Sequence, residues 1–340
     1  MGKSKRSNWK LKAFELYPLS LLRGAMDLLS IFLFLLSLAM ISKGSDWFIE
    51  SAVAISNKSG IPKMIIGATI VSFATTAPEF AVSATAAYIG HTDMTIGNAV
   101  GSAICNTGLV LGSIIVVKAI PVRDHTFPIK SGLMLLSGIV LILLSRDGGI
   151  SGPDGLVLLL VFFAFLYHAS KTQYKIFGKE RAGSGKVKIK EMQKDIVFFV
   201  IGALSVVIGS RILVDSGIKI AEWLGIPEVI IALTMVAVGT SLPELATAIA
   251  SLKKGHQDLS IGNILGANTM DIAMILGASS QIRLLPVSDQ LAGYDFPFML
   301  VIMLALIIFG LTGKKLERWE GALILGAYLV YVAGLFTWYG

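Results

Sequence analysis

The sequence predicts an all-α polytopic membrane protein with about ten transmembrane helices, arranged as two inverted-topology five-helix repeats. The first observation behind this prediction is composition: of the 340 residues, 54% are hydrophobic and only 15% are charged, with a mean hydropathy of +0.76. A soluble domain would carry about 25% charged residues. The other two observations are a series of long apolar stretches and an internal duplication of sequence.

Apolar stretches that suit a membrane crossing recur along the chain. A helix needs about 20 predominantly apolar residues to cross roughly 30 Å of hydrocarbon. Residues 1–25 are basic, and no A-x-A-like site follows the first apolar stretch, so we expect a retained first helix rather than a cleaved signal peptide. The predicted helix cores are Met26–Met40, Met64–Ile89, Ile96–Val117, Phe127–Leu144, Leu156–Tyr167, Ile196–Ile208, Val229–Ala250, Leu259–Ile275, Phe296–Leu311 and Ala322–Trp338.

The second half of the chain repeats the first at an offset of 165 residues. Between Gly44–Gly112 and Gly209–Gly277, 24 of 69 aligned positions are identical, and "GHTDMTIGNAVGS" aligns without a gap with "GHQDLSIGNILGA". Five spans per repeat is an odd number, so the second repeat is upside down relative to the first. This inverted arrangement is common in secondary transporters and predicts a site near the bilayer midplane.

The predicted organisation is a basic tail (1–25), a first five-helix repeat (26–169), a basic connector (170–195) and a second five-helix repeat (196–340). The positive-inside rule predicts a multi-pass protein of the cell membrane with this connector in the cytoplasm. The basic tail then lies on the other side, against the rule, unless the span count is off by one. The basic residues of the connector are Lys171, Lys175, Lys179, Arg181, Lys186, Lys188, Lys190 and Lys194.

A proline and an acid interrupt equivalent apolar stretches of the two repeats. "FATTAPEFAV" contains Pro78 and Glu79, and "VAVGTSLPELAT" contains Pro243 and Glu244. A proline inside a helix removes a backbone hydrogen bond and frees carbonyls one turn earlier, unless it merely kinks the helix. Hard cations bind carbonyl, hydroxyl and carboxylate oxygens. Because an acid at mid-membrane costs about 2.5–3.5 kcal/mol on insertion scales, both acids indicate a functional site.

Hydroxyls and amides extend this oxygen-rich face. Thr75 and Thr76 share a helix face with Glu79, as Thr240 and Ser241 do with Glu244. For the asparagines of the next helices, Asn98 and Asn263, helix–helix hydrogen bonds are favoured over ion binding. The polar positions spaced by four residues in those helices are Asn98, Ser102 and Asn106 in the first repeat, with Asn263, Ala267 and Asp271 in the second.

Other residues in these two helices predict packing. Gly97, Gly101, Gly262 and Gly266 allow neighbouring helices to approach closely. Cys105 is the only cysteine, so an intrachain disulfide is excluded and a packing role is expected. No cysteine or histidine cluster in the sequence suits copper or zinc.

The two motif pairs resemble those of a known family. "GATIVSFATTAPEF" with "GNAVGSAICNTGLVLG", and "VAVGTSLPEL" with "GNILGANTMDIAMILG", are similar to the repeats of the sodium/calcium exchangers of the calcium/cation antiporter superfamily, in their short prokaryotic and archaeal form. The resemblance implies a ten-helix fold with two slanted gating helices, the first and the sixth. It places the ion sites between the second, third, seventh and eighth spans.

The resemblance also implies a ligand set. Ca²⁺ ligands would be Glu79 and Glu244 with the carbonyls of Thr75 and Thr240. The positions that match sodium ligands are Thr76, Ser102, Ser241 and the carbonyl of Ala237, and a central polar pair matches Asn106 and Asp271. Two features depart from the family pattern: Ala74 and Thr76 replace a Gly-Ser or Gly-Thr-Ser sequence, and Ala267 stands where a sodium-binding serine is usual.

The predicted function is therefore a secondary antiporter that exchanges Ca²⁺ for Na⁺ by alternating access. The expected partners are these two ions and the lipid bilayer, with no cofactor, no nucleic acid and no enzymatic activity, and the protein is expected to function as a monomer. A proton/calcium exchanger and a K⁺-dependent exchanger remain alternatives, because the same carboxylates can titrate. An inverted repeat within one chain disfavours an ion channel, and no Ser/Lys dyad or His-rich motif supports an intramembrane enzyme.

Overall fold

A computed structural model describes residues 28–48, 50–51, 54–55, 71–122, 126–177, 189–253 and 257–340. Nearly all of these residues are helical, and ten long helices follow one another within the described ranges. They are α1 (Leu28–Phe48), α2 (Val71–Ile89), α3 (Thr92–Val117), α4 (Phe127–Asp147), α5 (Gly152–Phe177), α6 (Ile189–Leu224), α7 (Glu228–Lys253), α8 (Gln257–Thr269 continued by Met270–Leu276 and Gly277–Ile282), α9 (Leu291–Gly313) and α10 (Arg318–Trp338).

Nine of the ten described helices are long and apolar enough to cross a membrane. The remaining helix, α2, is described only from Val71, and the beginning of its predicted core at Met64 lies outside the described residues. The outer helices also expose large apolar side chains, and Leu160, Val301 and Val330 are each more than 60% exposed. Such a surface is suited to lipid, so the prediction of an all-α polytopic membrane protein is confirmed.

Several helices are longer than their predicted cores. The helix α6 runs for 36 residues, far beyond Ile196–Ile208. The apolar run ends before Arg211 and Asp215, but these two side chains pair across one turn at 3.0 Å, and the helix continues through them. At their connector ends, α5 extends to Phe177 and α6 begins at Ile189, so both helices enter the predicted connector.

Two short antiparallel ladders join the repeats. The strand β1 (Ile120–Pro121), which follows α3, pairs with β4 (Lys315–Leu316), which precedes α10. The strand β2 (Gly149–Ile150), between α4 and α5, pairs with β3 (Leu285–Pro286), which follows α8. In the alignment of the two repeats, which are offset by 165 residues, β1 is equivalent to β3, and Ile150 of β2 is equivalent to Lys315 of β4. The two ladders are therefore equivalent under the repeat, and each contains one strand from each half.

The packing of α3 on α8 confirms the inverted relation between the halves. The first part of α3, Thr92–Cys105, packs on Met270–Leu276, and its later part, Asn106–Leu111, packs on Gln257–Thr269. The two equivalent helices therefore run in opposite directions and cross near the middle. This crossing places Asn106 and Asp271, which are equivalent positions of the repeats, against each other.

The helices α1 and α6 cross on small residues. A methyl group on Gly44 would lie 2.7 Å from Ser205 Cβ, and one on the equivalent Gly209 would lie 2.9 Å from Ile41 Cγ1. Next to this crossing, the ring of Phe48 lies 4.6 Å from that of Phe199. The two helices thus form a closely packed pair, related by the same inverted repeat.

Candidate ion-binding site

Three acidic side chains meet at the centre of the helix bundle. Glu79 on α2, Glu244 on α7 and Asp271 on α8 are each at most 1% exposed. They are close enough to interact electrostatically, because Glu79 is repelled by both other acids and Asp271 by Glu244. The structure therefore brings together the two acids of the proline motifs and the acid of the following helix in the second repeat. Buried like charges are unfavourable unless positive charge compensates them.

The two proline-bearing helices differ in conformation. In α7 the helix ends at Thr240 and resumes at Leu242, with a turn at Ser241 whose φ and ψ are −81° and 5°. In α2 the helix continues through Pro78. The break predicted for both helices is therefore observed only in α7. Gly239, which weakens a helix relative to alanine, precedes the break, whereas Ala74 occupies the equivalent position in α2.

Each of the two helices buries a hydroxyl group within one turn of its acid. The Ser241 hydroxyl donates to Glu79 Oε1 at 3.4 Å and so links α7 to α2. Thr76 is fully buried, and its Oγ1 has no hydrogen-bond partner among the described residues. Glu79 Oε2 is also buried and has no hydrogen-bond partner among the described residues. The side chain of Thr75 lies outside the described part of the structure.

The central polar pair is present in the predicted position. Asn106 Nδ2 donates to Asp271 Oδ2 across 3.5 Å, a long hydrogen bond between α3 and α8. Asn106 Oδ1 and Asp271 Oδ1 are buried without partners in the described structure. Both residues lie at the beginning of π-helical segments, Asn106–Leu111 and Met270–Leu276. π-Helical segments are rare in proteins, and those that occur are often located at functional sites.

Ser102 and Thr240 connect α3 to the break in α7. Their hydroxyl oxygens are 3.4 Å apart, and both residues are buried. Thr240 Oγ1 also lies 3.3 Å from the carbonyl oxygen of Ala237, which accepts the backbone N–H of Ser241 at 3.0 Å. The Ala237 carbonyl is thus engaged within its own helix. The Thr240 hydroxyl has a single proton and lies closer to Asn98 Oδ1 (3.2 Å) and to the Val236 carbonyl oxygen (3.1 Å), so only the Ser241 N–H occupies the Ala237 carbonyl firmly.

Asn98 positions the backbone of the site. Its Nδ2 donates to the carbonyl of Glu79 at 3.1 Å and to Ser83 Oγ at 2.9 Å, and its Oδ1 accepts from Thr240 at 3.2 Å. The residue therefore holds α2, α3 and α7 together, and the predicted helix–helix role of Asn98 is confirmed. Sequence reasoning missed Ser83, whose equivalent in the second repeat is Ala248.

Glycines of α3 bring it against α7. A methyl group on Gly97 would lie 2.6 Å from Ala232 Cβ, and one on Gly101 would lie 2.7 Å from Leu233 Cα. These distances confirm the close approach predicted for the two glycines. The approach keeps Ser102 within reach of Thr240.

A narrow cleft, with no room for a water molecule, lies between α1 and the proline-bearing helices. Its lining consists of Leu38, Ile41 and Ser42 from α1 with Pro78, Gly239, Thr240 and Pro243. Leu38 lies directly over Gly239, where an added methyl group would be 2.5 Å from its Cδ2. The packing of Leu38 on Gly239 therefore leaves this cleft closed to water.

The chemistry of this donor set suits a hard cation. The buried groups that meet at the site are carboxylate, hydroxyl and amide oxygens, and four of these oxygens lack a partner in the described structure. Hard cations such as Ca²⁺ take six to eight oxygen ligands. Those oxygens come from both repeats, so the site is complete only when the two halves are packed together.

The sequence profile of the family described as "Sodium/calcium exchanger protein" matches residues 29–171 and 194–337. The chain belongs to the sodium/calcium exchanger family. This membership confirms the resemblance seen in the two motif pairs. The family consists of transporters, in agreement with the prediction that the chain is not an enzyme.

Relatives of this exchanger-family protein align over nearly their full length. It is 30% identical over 349 residues to the sodium/calcium exchanger MaX1 of Methanosarcina acetivorans, with 89% of this chain and 97% of that protein covered. It is 33% identical over 317 residues to an uncharacterized membrane protein of Methanocaldococcus jannaschii, with 91% and 99% covered.

Solved structures of the sodium-calcium exchanger NCX_Mj share the fold. One obtained after soaking with Na⁺ and Sr²⁺ superposes with a TM-score of 0.62 at 33% identity, and covers 91% of this chain and 99% of that one. Another, soaked with Na⁺ and without Ca²⁺, gives a TM-score of 0.61 at 32% identity. The ten-helix arrangement found here is therefore that of a sodium/calcium exchanger.

Proposed function

We propose that this protein is a Na⁺/Ca²⁺ antiporter that binds both ions at the acidic cluster and transports them by alternating access. The observation that carries the proposal is the meeting of Glu79, Glu244 and Asp271 in a fully buried, oxygen-lined site between the repeats. An ionisable residue within the membrane is a functional site by default, and here three converge. The names of relatives such as MaX1 and NCX_Mj add support.

Ca²⁺ binds between Glu79 and Glu244 in this proposal. Two carboxylates supply two negative charges, which a divalent cation neutralises. The carbonyls of Thr75 and Thr240, one turn before each acid, complete the calcium ligands. The break at Ser241 supports this role for Thr240, because it leaves the end of a helix beside the acids.

Sodium ions use the same carboxylates together with the flanking oxygens. These are the hydroxyls of Thr76, Ser102 and Ser241 and the carbonyl of Ala237. Because the carboxylates are shared, the two kinds of ion exclude each other. An empty site would leave several buried negative charges, and this penalty disfavours a transition without cargo, so exchange occurs rather than leak. Asn106 and Asp271 fix the geometry between the two groups of ligands.

Alternating access follows from movement of α1 and α6 over the site. The two helices pack on Gly44 and Gly209, which allow backbone contact, and α1 forms one wall of the cleft with Leu38 and Ile41. Sliding of this pair would open the cleft on one side of the membrane and close it on the other. In this proposal the protein acts as a monomer in the cell membrane, with the connector in the cytoplasm.

The deciding experiment is uptake of radiolabelled Ca²⁺ into proteoliposomes loaded with Na⁺, with K⁺ or with an acidic interior. Uptake that requires internal Na⁺ and survives a protonophore would support the proposal. Uptake driven by the pH gradient alone would refute sodium coupling and assign proton/calcium exchange to the same acids. A need for K⁺ together with Na⁺ would indicate the K⁺-dependent variant.

A further inference from the structure

The hydroxyl of Thr240 has four oxygen atoms around it, at the point where α3 meets the break in α7. Thr240 Oγ1 lies 3.1 Å from the carbonyl oxygen of Val236, 3.2 Å from Asn98 Oδ1 and 3.3 Å from the carbonyl oxygen of Ala237. Its fourth neighbour is Ser102 Oγ at 3.4 Å. Both hydroxyl-bearing residues are buried, so protein atoms rather than bulk water determine the direction in which each hydroxyl donates.

The orientation of the Asn98 amide fixes that direction. Its Nδ2 donates to the carbonyl oxygen of Glu79 at 3.1 Å and to Ser83 Oγ at 2.9 Å. Because a carbonyl oxygen cannot donate, the NH₂ group must face Glu79, and Asn98 Oδ1 faces Thr240 as an acceptor. Every neighbour of the Thr240 hydroxyl except Ser102 is therefore a pure acceptor. The single proton of Thr240 goes to one of these acceptors, and only Ser102 can donate to Thr240.

The hydroxyl of Ser102 makes its one hydrogen bond within the described structure to Thr240. A serine hydroxyl has one proton and two lone pairs. A hard cation binds such a hydroxyl through the oxygen, so the proton must point away from the ion toward another acceptor. Thr240 is that acceptor, and it leaves the lone pairs of Ser102 available to a cation.

We propose that the Thr240 hydroxyl is a positioning group for Na⁺: it accepts the proton of Ser102, so that the Ser102 oxygen can bind the ion. This inference rests on the proposed function, which assigns the hydroxyl of Ser102 to Na⁺ and the backbone carbonyl of Thr240 to Ca²⁺. Any side chain at this position keeps the carbonyl. The hydroxyl therefore sets the affinity for Na⁺ separately from the affinity for Ca²⁺.

The second repeat lacks an equivalent pair of hydroxyls. The residue equivalent to Ser102 is Ala267, whose methyl group has no proton to donate and no lone pair to offer. The residue equivalent to Thr240 is Thr75, whose side chain lies outside the described part of the structure. The two repeats therefore cannot supply equal positions for Na⁺, and the hydroxyl pair acts at one of them only.

Substitutions at Thr240 separate its hydroxyl from its carbonyl. Thr240→Val removes the hydroxyl with little change of shape and leaves the Ser102 proton without its acceptor. Thr240→Ala removes the same hydroxyl with a smaller side chain, and Thr240→Ser retains it. The matched control is Thr234→Val on the same helix, because Thr234 is buried and its Oγ1 donates to the carbonyl of Ile230 at 2.6 Å.

The decisive measurement is the thermal stability of purified protein in detergent, titrated with Na⁺ or with Ca²⁺, since an ion that binds the folded state raises the melting temperature. We expect Thr240→Val and Thr240→Ala to raise the Na⁺ concentration for half-maximal stabilisation by about tenfold. The corresponding Ca²⁺ concentration should not change. Thr240→Ser should restore the response to Na⁺, and Thr234→Val should alter neither response.

A double variant tests whether Thr240 acts through Ser102. Ser102→Ala should itself raise the Na⁺ concentration required, and adding Thr240→Val should raise it no further, because the acceptor has no role once the donor is gone. A general loosening of the fold would instead change the responses to both ions. Additive effects in the double variant, an unchanged response to Na⁺ in Thr240→Val, or equal changes for both ions would overturn the positioning role.

Transport separates this inference from the proposed function. A wild type that is stabilised by Ca²⁺ and not by Na⁺ would overturn both the positioning role and sodium coupling. The expected pattern of stabilisation, in protein whose Ca²⁺ uptake into proteoliposomes ignores Na⁺, would support the positioning role and refute sodium coupling. Uptake that requires Na⁺, with a response to Na⁺ that Thr240→Val leaves unchanged, would refute the positioning role alone.

Discussion

The contact between α3 and α7 at Gly101 determines whether the site forms, and replacing this glycine by alanine tests that dependence. The added methyl group would lie 2.7 Å from Leu233 Cα, 2.8 Å from the Leu233 carbonyl oxygen and 2.9 Å from Ala237 Cβ. Two of these neighbours are backbone atoms, which cannot rotate away as a flexible side chain does. The helices must therefore separate.

The size of the separation follows from the distances. Ordinary contact for a methyl group begins at 3.4 Å, so α3 must move by about 0.7 Å, the difference between 3.4 and 2.7 Å. Overpacking of this kind costs about 1–3 kcal/mol. The same movement carries Ser102 away from Thr240, to which it is already 3.4 Å distant. Because displacements near 1 Å can reduce the rate of a preorganised site about a hundredfold, we expect Ca²⁺ uptake to fall by roughly tenfold or more.

The assay compares Gly101→Ala with the same substitution at Gly132 and at Gly326. Both control glycines lie in membrane-spanning helices, α4 and α10, and a methyl group there has no neighbour within 4 Å. Alanine should be neutral or slightly stabilising at these positions, since glycine is disfavoured in helices by about 1 kcal/mol. Thermal unfolding in detergent and Ca²⁺ uptake are measured for all three. Wild-type stability and uptake in Gly101→Ala would refute the argument that this contact positions the site.

Three further substitutions test the roles of individual polar groups. Glu79→Gln should abolish Na⁺-driven Ca²⁺ uptake, because it removes one of the negative charges that both ions share. Glu222→Gln, on the exposed face of α6, is the control. Robust uptake by Glu79→Gln would contradict the shared site. Asn98→Ala should lower thermal stability by about 1–3 kcal/mol, because it removes the three hydrogen bonds that join α2, α3 and α7, and an unchanged melting temperature would contradict its bridging role. Ala267→Ser should lower the Na⁺ concentration that gives half-maximal exchange, because it adds a hydroxyl equivalent to that of Ser102; an unchanged Na⁺ dependence would exclude a ligand at that position.

Sequence alone was sufficient to predict the main architecture and the centre of the site. The duplication and the apolar stretches predict ten helices and an inverted repeat, and the acids stand out because carboxylates are costly in hydrocarbon. The close approach at Gly101 was also predictable, because a glycine next to a conspicuous polar face has few other reasons to occur in a spanning helix. Each of these features can be recognised within the sequence itself, without knowledge of tertiary contacts.

Other features depend on tertiary contacts that the order of residues does not contain. The motifs of α2 and α7 share a threonine, a proline and a glutamate at equivalent positions, yet only α7 breaks, and one local difference is Gly239 against Ala74. The length of α6 was underestimated because charged residues lower the local hydropathy, which places the end of the predicted span too early. Arg211 and Asp215 instead pair with each other along an exposed face of the helix. The hydrogen bonds of Asn98 to Ser83 and Thr240 could not be predicted, because they require the position of α3 relative to α2 and α7.

The polar pair at the centre shows why the two halves of the site differ. A residue near the axis of an inverted repeat faces its own equivalent, so whatever stood there after the duplication met a copy of itself. Two aspartates at these positions would repel each other and would bring the buried cluster to four acids, which adds one more buried negative charge to be compensated. Asn106 opposite Asp271 removes that conflict, because the amide donates to the carboxylate and the cluster keeps three acids. The symmetry of the repeat therefore builds the frame of the site, and divergence at the axis replaces a repulsion between two acids with a hydrogen bond.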